Sequence, residues 1–326
     1  MRGLSGANKL LKNLELSFDT FSFKRNTNDK FSNDKIFLDT TDIILGFDGV
    51  VLNKKELMSL NGIAEWQDFF LNAKKPEDFV NDIKGIFHGF IFYKKERVLY
   101  LFNDPYGLKN FSIYNLKNTF IFSYDDISLI DILKENGYEL EINTPALYSF
   151  ISYGFLTSKI SWVHNGFRME PGSILKFHNG NISTRSYIKF ISNPNTGINK
   201  EKASSQLEEL FKNAVKLQFD KDKEYNYTHF TTLSGGLDSR VTTLMAYENK
   251  YTDLHSFTCS QSGYDDELIA REIANEYKIP NYFYPLDDFN HLFDIPSVNE
   301  KIGGTAIYSG PAHVIFGIEK FWKNDY

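Results

Sequence analysis

Leu233-Ser234-Gly235-Gly236-Leu237-Asp238-Ser239-Arg240 lies between a strand-like run, Tyr227 to Leu233, and a helical pattern, Arg240 to Tyr247. The spacing predicts a strand, a tight glycine turn and a helix. In an open α/β sheet, ligands bind at such turns, outside the carboxyl ends of the strands. The residue types suit a phosphate. Gly235 and Gly236 are expected to adopt unusual backbone angles and to admit a phosphate closely. Successive backbone N–H groups would then face one concavity, and the helix adds its positive N-terminal end. Ser234 and Ser239 can donate hydroxyl hydrogen bonds to phosphate oxygens. Asp238 would repel a bare phosphate, so its presence points to a bridging Mg2+. No Gly-Lys-Ser/Thr follows the glycines, which excludes a Walker A loop, and the spacing is not a dinucleotide fingerprint. A plainer reading is a structural turn in which Asp238 or Ser239 caps the helix. The full six-residue string between a strand and a helix favours the nucleotide.

Working outward, strands and helices alternate around this turn. Lys202 to Phe219 carries Leu207, Leu210, Phe211, Ala214 and Val215 at helical spacing. Leu254 to Ser260 reads as a strand, Asp265 to Tyr277 as a helix and Asn281 to Leu286 as a third strand. Such alternation predicts a parallel sheet with helices on both faces. The acidic pair Asp265-Asp266 is expected in the first helical turn, where negative charge suits the dipole. Upstream, Ser192 to Asn199 (SNPNTGIN) reads as a linker. Before it, residues 89–95, 97–104, 111–117 and 119–125 are short apolar or alternating runs separated by polar turns, which predicts an antiparallel meander. A second cluster of this kind is expected around Pro171 to Phe177, followed by the turn His178-Asn179-Gly180-Asn181. The expected organisation is an α+β domain over residues 1–192 and an α/β domain over residues 200–326.

Composition narrows the function classes. The 326 residues carry a net charge of −6, which argues against a broad nucleic-acid-binding surface. Apolar residues make up 42%, enough for sizeable cores, and aromatics 16%, read as aromatic-rich strands and helices. The single cysteine, Cys259, excludes a disulfide within the chain and argues against a cysteine-based zinc site. It reads as a small apolar residue on a buried strand. His88 and His164 have no second ligand at a metal-binding spacing. No apolar run is long enough to span a bilayer, and Lys9, Lys12, Asn13 and Glu15 interrupt any secretory signal. A soluble cytoplasmic protein is expected, with no nucleic-acid or membrane partner.

Ser-Gly-Gly-Leu-Asp-Ser resembles the PP-loop of ATP pyrophosphatases. The domain order is similar to that of asparagine synthetases, where a glutamine-amidotransferase domain of the N-terminal-nucleophile type precedes the PP-loop domain. Residues 47–53 (FDGVVLN) resemble the family's Asn-Gly-Glu-Ile-Tyr-Asn stretch, and residues 85–90 (GIFHGF) its Gly-x-Phe-Ala-Phe strand. Residues 104–109 (DPYGLK) resemble its Arg-Asp-x-x-Gly-x-Lys turn, and Pro171-Gly172-Ser173 its Pro-Pro-Gly-His segment. Asp266-Glu267 with Ala270, Ile273 and Ala274 resembles the helix after the second strand. The resemblance implies an αββα sandwich of the N-terminal-nucleophile hydrolase type. It implies that a Rossmann-like domain of the adenine-nucleotide α-hydrolase kind follows. Leu233, Ser234, Gly235, Gly236, Asp238 and Ser239 would bind ATP, with Asp238 on Mg2+. Arg240 would add charge near the phosphates, and Leu233 with residues 257–260 would flank the adenine.

The implied reaction is adenylation of a carboxylate, aspartate or a related small-molecule or peptide acid, with release of pyrophosphate. Amide formation with ammonia or an amine would follow. Three departures qualify the resemblance. Arg2 stands where the family's cysteine nucleophile belongs, and Asp48 replaces an asparagine whose amide would help an oxyanion. No Arg-Gly-Pro-Asp segment is found. A glutaminase-inactive first domain is expected, as in β-lactam synthetases and lasso-peptide cyclases. An amide-forming cyclase, or an inactive nucleotide-binding fragment, is the alternative. A second glycine-rich segment, Ser-Gly-x-Gly-x-Asp-Glu, is expected about a hundred residues beyond the PP-loop. Ser309-Gly310-Pro311 is the nearest match, so the second domain is expected to be incomplete, a homodimer or partner chain being one way to complete it.

Overall fold

A computed structural model describes residues 12–18, 21–116, 119–194, 196–251 and 253–324. The chain divides into two compact units, Met1–Phe190 with Asn299–Tyr308, and Ile191–Val298 with Ser309–Tyr326. Among the described residues no helix is long and apolar enough to cross a membrane.

The first unit runs β1 (Lys12–Phe18), β2 (Phe21–Thr27), β3 (Ile36–Asp39), β4 (Ile43–Val51), α1 (Lys54–Leu60), α2 (Asp68–Leu71), β5 (Gly85–Tyr93), β6 (Val98–Asn103), β7 (Ser112–Leu116), β8 (Thr119–Ser123), α3 (Asp126–Glu135), α4 (Thr144–Tyr153), β9 (Gly166–Arg168), β10 (Ser173–His178) and β11 (Asn181–Ser186). Its main sheet is antiparallel in the order β11-β10-β6-β5-β4-β3. Side chains alternate between its faces, as strand geometry requires. Leu45, Phe47, Phe87, Ile91 and Phe102 face Trp66, Phe69, Phe70 and Phe79 from the α1–α2 region and the turn after it. Ile44, Phe90, Phe92, Leu99 and Leu101 face the opposite way, onto Phe111, Ile113 and Met169. The second sheet, β8-β7-β9, is also antiparallel. Tyr114, the neighbour of Ile113 on β7, turns its back on the main sheet and packs with Leu129 and Leu133 of α3. The order of layers is therefore helix, sheet, sheet, helix.

The expected single meander is corrected here. β5 and β6 pair, but β7 and β8 belong to the other sheet. The break lies at the turn after β6. The buried Asp104 carboxylate accepts the N–H groups of Tyr106, Leu108 and Lys109 at 3.0, 3.2 and 2.8 Å. Gly107 takes φ +64° there. A chain wound around its own carboxylate cannot return as the next strand of the same sheet. By contrast, the β10–β11 hairpin closes as its turn residues foretell, with Asn179 and Gly180 both at positive φ.

The second unit runs α5 (Lys200–Glu224), β12 (His229–Thr232), α6 (Leu237–Glu248), β13 (Leu254–Ser260), α7 (Asp265–Tyr277), β14 (Asn281–Pro285), α8 (Ile295–Lys301) and α9 (Ser309–Asn324). β12, β13 and β14 form a parallel sheet in that order. Val215 and Phe219 of α5, Ala246 of α6 and Leu254 of β13 share one apolar cluster. Phe230, Phe257, Tyr282 and Tyr284 cluster with Val314, Phe316, Ile318 and Phe321 of α9. Both faces of the sheet are thus covered. The apolar stripe read in α5 is only half used, since Leu207 and Leu210 are 67% and 68% exposed. A helix of 25 residues outruns strands of four to seven, and its first turns extend past the sheet.

Phe47 is 1% exposed, with ring centroids 4.9 Å from Phe70 and 5.6 Å from Phe87. Phe47→Ala is expected to destabilise the first unit by about 3–5 kcal/mol. Denaturant unfolding followed by the fluorescence of Trp66, in the same cluster, measures it.

Candidate functional site

β12 does not release the chain at its last paired residue. Leu233 N–H donates to the Phe257 carbonyl at 2.9 Å, and the Leu233 carbonyl accepts the Thr258 hydroxyl at 2.7 Å. The Leu233 side chain is buried with Ala270, Ala274 and Ile273 of α7. The loop therefore begins at Ser234, with every group of Leu233 already committed.

Ser234 and Ser239 close the loop. Their hydroxyl oxygens are 2.8 Å apart. Ser234 N–H donates to Ser239 Oγ at 3.0 Å, and Gly236 N–H to Ser234 Oγ at 3.1 Å. Gly235 N–H donates to Asp266 Oδ1 of α7 at 2.8 Å. Gly236 sits at φ −71°, ψ 151°, ordinary extended backbone, and Gly235 has no positive φ either. The expectation of unusual backbone angles is corrected: these glycines serve close approach. A Cβ on Gly235 would stand 3.1 Å from Asp266 Oδ1 and 3.3 Å from the Asp265 carbonyl, and one on Gly236 would stand 3.2 Å from Ser234 Oγ.

α6 starts directly after Gly236, and no side chain caps it. Its first turn leaves backbone N–H groups at the exposed end of the helix, where the dipole is positive. Asp238 is exposed in that turn, and its carboxylate makes no hydrogen bond or ion pair among the described residues. Arg240 turns back toward the loop, Nε donating to the Gly236 carbonyl at 3.2 Å. Ser234, Gly235, Gly236, Asp238, Ser239 and Arg240 thus share one loop, with Leu233 supporting it from beneath.

Asp266 is the residue that sequence reasoning missed. It was read with Asp265 as a dipole partner of its own helix, and both do lie in the first turn of α7. Its carboxylate also fixes the neighbouring loop. The signal was the position of an acid at the N-terminus of the helix after the next strand. In a parallel sheet with adjacent strands, that end lies beside the preceding loop.

Residues 206–313, which contain this loop, match the family model described as Asparagine synthase. A protein of Methanocaldococcus jannaschii provisionally named asparagine synthetase (glutamine-hydrolyzing) 2 is 28% identical over 270 residues, covering 79% of this chain and 51% of that protein. Asparagine synthetase (glutamine-hydrolyzing) 1 of Bacillus subtilis is 23% identical over 225 residues, covering 68% of this chain and 34% of its own length. The chain is similar to these asparagine synthetases, and its residues 206–313 to the family's model. It spans about half of the length of the first and about a third of the second. A solved glutamine phosphoribosylpyrophosphate amidotransferase from B. subtilis, complexed with ADP and GMP, aligns with 80% of this chain and 75% of its own. Its identity is 11% and its TM-score 0.32, a superposition too loose to carry an argument.

The remaining residues singled out from sequence take these places. Arg2 lies outside the described residues. Asp48 on β4 is opposite His88 on β5. Burial alone would raise the Asp48 carboxyl, but Lys109 and Lys35 beside it hold it well below the usual carboxylate range. Lys109 Nζ donates to its Oδ1 at 2.6 Å and Thr27 Oγ1 to its Oδ2 at 2.7 Å. Burial, with Lys109 nearby, pushes His88 down to about 4, so its ring is neutral at pH 7. His88 Nδ1 is 3.0 Å from the Asn110 carbonyl. His164 is exposed. Among the described residues, no three His, Cys, Asp or Glu side chains are grouped to hold a metal ion. Cys259 sits on β13, with its thiol pushed up to about 12 by burial.

Asp266→Ala removes the acceptor of the Gly235 amide, whereas Asp266→Asn keeps an acceptor oxygen. Hydrogen exchange by NMR should show Gly235 exchanging about tenfold or more faster in the alanine variant, an amount that corresponds to losing one hydrogen bond. The asparagine variant should stay closer to the wild type. Equal exchange in all three would remove the role assigned to Asp266.

Proposed function

We propose that the chain carries the ATP-binding part of an AMP-forming carbon–nitrogen ligase. The first unit is read as an N-terminal-nucleophile-type fold without glutaminase chemistry. The second is read as a Rossmann-like PP-loop domain. The observation that carries this is the uncapped N-terminus of α6, entered through Ser234-Gly235-Gly236 from a parallel strand, inside the segment that matches the family model. An anion at that end meets backbone N–H groups and the positive end of a 12-residue helix. The two glycines keep side chains out of its way.

ATP fits these residues. The first turn of α6 would receive the phosphates, with Gly236 leaving room for them, while the Ser234–Ser239 pair holds the loop in shape. Arg240 adds a positive charge near the same end. Asp238 has a free carboxylate at the place where phosphate and Mg2+ would meet, and the ion would neutralise charge on the phosphates when bound. Since the described residues supply no grouped ligand set, the ion would be held mainly through ATP.

The reaction follows in two displacements. A substrate carboxylate oxygen attacks the α-phosphorus of ATP; the bond to the β-phosphate oxygen breaks, and pyrophosphate leaves. Ammonia or an amine then attacks the acyl carbon; AMP leaves and the amine loses a proton. The protein's part in the first step is to hold the pyrophosphate against the helix end, where charge grows as the bond breaks. Aspartate is the proposed acid class, from the names of the relatives. Asp48, ionised and bonded to Lys109, would repel a developing oxyanion, so the first unit is read as inert toward glutamine.

Carboxylate-dependent ATP–pyrophosphate exchange, with aspartate first, tests the reading, together with calorimetry of Mg·ATP. Asp238→Ala should weaken Mg2+-dependent ATP binding roughly 10- to 150-fold. Unchanged affinity at matched Mg2+ would overturn the role of Asp238. Glutamine should yield no glutamate above a buffer blank; release that survives Cys259→Ser would overturn the inert reading of the first unit.

A further inference from the structure

We propose that the first unit clamps the connection between α8 and α9, and that this clamp seats α9 on the β12–β14 sheet. The inference stands apart from the nucleotide reading, because no ligand enters it. The chain leaves the second unit after Val298, runs through the first as residues 299–308, and returns at Ser309.

The receiving edge is prepared. Gly154 ends α4 at φ +74°, and the chain runs extended after it. Ser149 Oγ donates to the Phe155 carbonyl at 3.0 Å and accepts the Thr157 N–H at 3.0 Å. In an extended segment those groups point to one side, and the Gly154 carbonyl and Leu156 N–H to the other. The second pair goes to the strap. Ile307 N–H donates to the Gly154 carbonyl at 2.7 Å and Leu156 N–H to the Thr305 carbonyl at 3.0 Å, with Phe155 opposite Ala306 in an antiparallel bridge. Trp162 Nε1–H donates to the Gly304 carbonyl at 2.7 Å. That indole is itself fixed, with its ring 5.2 Å from Phe150 and its backbone N–H on the buried Asp126 carboxylate. The strap is shaped to match. Gly303 and Gly304 take φ +66° and +65°, and their N–H groups close on the Glu300 and Asn299 carbonyls to end α8. A Cβ on Gly303 would stand 3.1 Å from that of Asp125, and one on Gly304 3.4 Å from Ile127.

α9 needs such a hold. Its 16 residues include Gly310 and Gly317, and glycine weakens a helix. A helix of this length is marginal in water without packing. Gly317 cannot be exchanged for a better helix former, since a Cβ there would stand 2.3 Å from Cys259 Sγ of β13. Yet α9 supplies Val314, Phe316, Ile318 and Phe321 to the cover of the parallel sheet, with the Phe321 ring 4.1 Å from that of Phe230 on β12. Ile307 is bonded to the first unit two residues before α9 begins. Holding the chain there removes freedom that α9 would gain by leaving the sheet, so the helix folds down from a fixed end. The first unit thereby acts on the second through the backbone, whatever its chemistry toward glutamine.

The test is hydrogen exchange by NMR on the whole chain, at stepped denaturant concentrations below the unfolding transition. In the wild type, the amides of Leu156, Ile307 and residues 314–321 should exchange through one common opening, separate from that of α7. Gly304→Val puts a branched side chain at φ +65° beside Ile127. It should speed exchange of Ile307 and of residues 314–321 about tenfold or more, with α7 unchanged. Trp162→Phe removes only the indole N–H and should speed the same amides by a smaller factor. An opening of residues 314–321 that is independent of Leu156 and Ile307 in the wild type overturns the proposal. So does a Gly304→Val chain in which Leu156 and Ile307 lose protection while residues 314–321 keep theirs. If Gly304→Val fails to fold, the wild-type openings and Trp162→Phe decide.

Discussion

The commitment of Leu233 governs the shape of the candidate site. With its N–H on Phe257, its carbonyl on Thr258 and its side chain under α7, the chain cannot bend until Ser234. It must reach the start of α6 at Leu237 three residues later. So short a turn brings Ser234 and Ser239 together, and their hydroxyls satisfy each other and two loop N–H groups. The loop is rigid because its own polar groups are used inside it. The open donors are consequently those at the end of α6, where the helix dipole adds to them. Rigidity, and the open donors on which the proposed anion binding rests, come from one division of hydrogen-bonding labour.

The first unit follows an opposite logic at its polar centre. Its two sheets are sealed by aromatic packing, and charged groups are admitted at Asp48, Lys109 and Lys35. A lone carboxylate in that setting would favour protonation. The two lysines reverse this and keep it ionised. The same ionisation sets a negative charge on the strand position that resembles the family's oxyanion asparagine. The replacement is thus more than the loss of a donor, because a fixed charge opposes any anionic transition state formed nearby.

What was legible in the sequence followed the range of the interactions concerned. β13 and α7 end where their patterns end, Leu254–Ser260 and Asp265–Tyr277, because periodicity is local. The Ser234–Ser239 string was legible because turn chemistry is written in adjacent residues. The split of β7 and β8 into a second sheet was not, since Asp104 turns the chain by bonding backbone groups that any residue could supply. The exposed Leu207 and Leu210 show the same limit: helical spacing reports a stripe but not how far the sheet beneath it extends. Asp266 was invisible as a loop partner, for its bond crosses 31 positions to a backbone amide. The cluster around Asp48 was half visible, as an altered asparagine, while Lys35 gave no local sign.

The Asp266 bond also limits how the loop can use its amides. Gly235 has a single N–H, and it cannot serve Asp266 and a phosphate oxygen together at full strength. With Asp266 in place, the phosphate-facing donors reduce to those of the α6 terminus, and the Asp266 charge stands beside the incoming anion. If Asp266 swings away, one more amide becomes available and a repulsion is removed, at the cost of the bond that positions the loop. The two arrangements differ by one hydrogen bond and one charge contact, terms of similar size. A cation shared between Asp238 and the phosphates would tip that balance, since it would screen the anion from the carboxylates on both sides. If the loop binds nucleotide as proposed, nucleotide and cation would favour each other there: either alone would meet uncompensated charge, and together they would leave the Gly235–Asp266 bond free to persist.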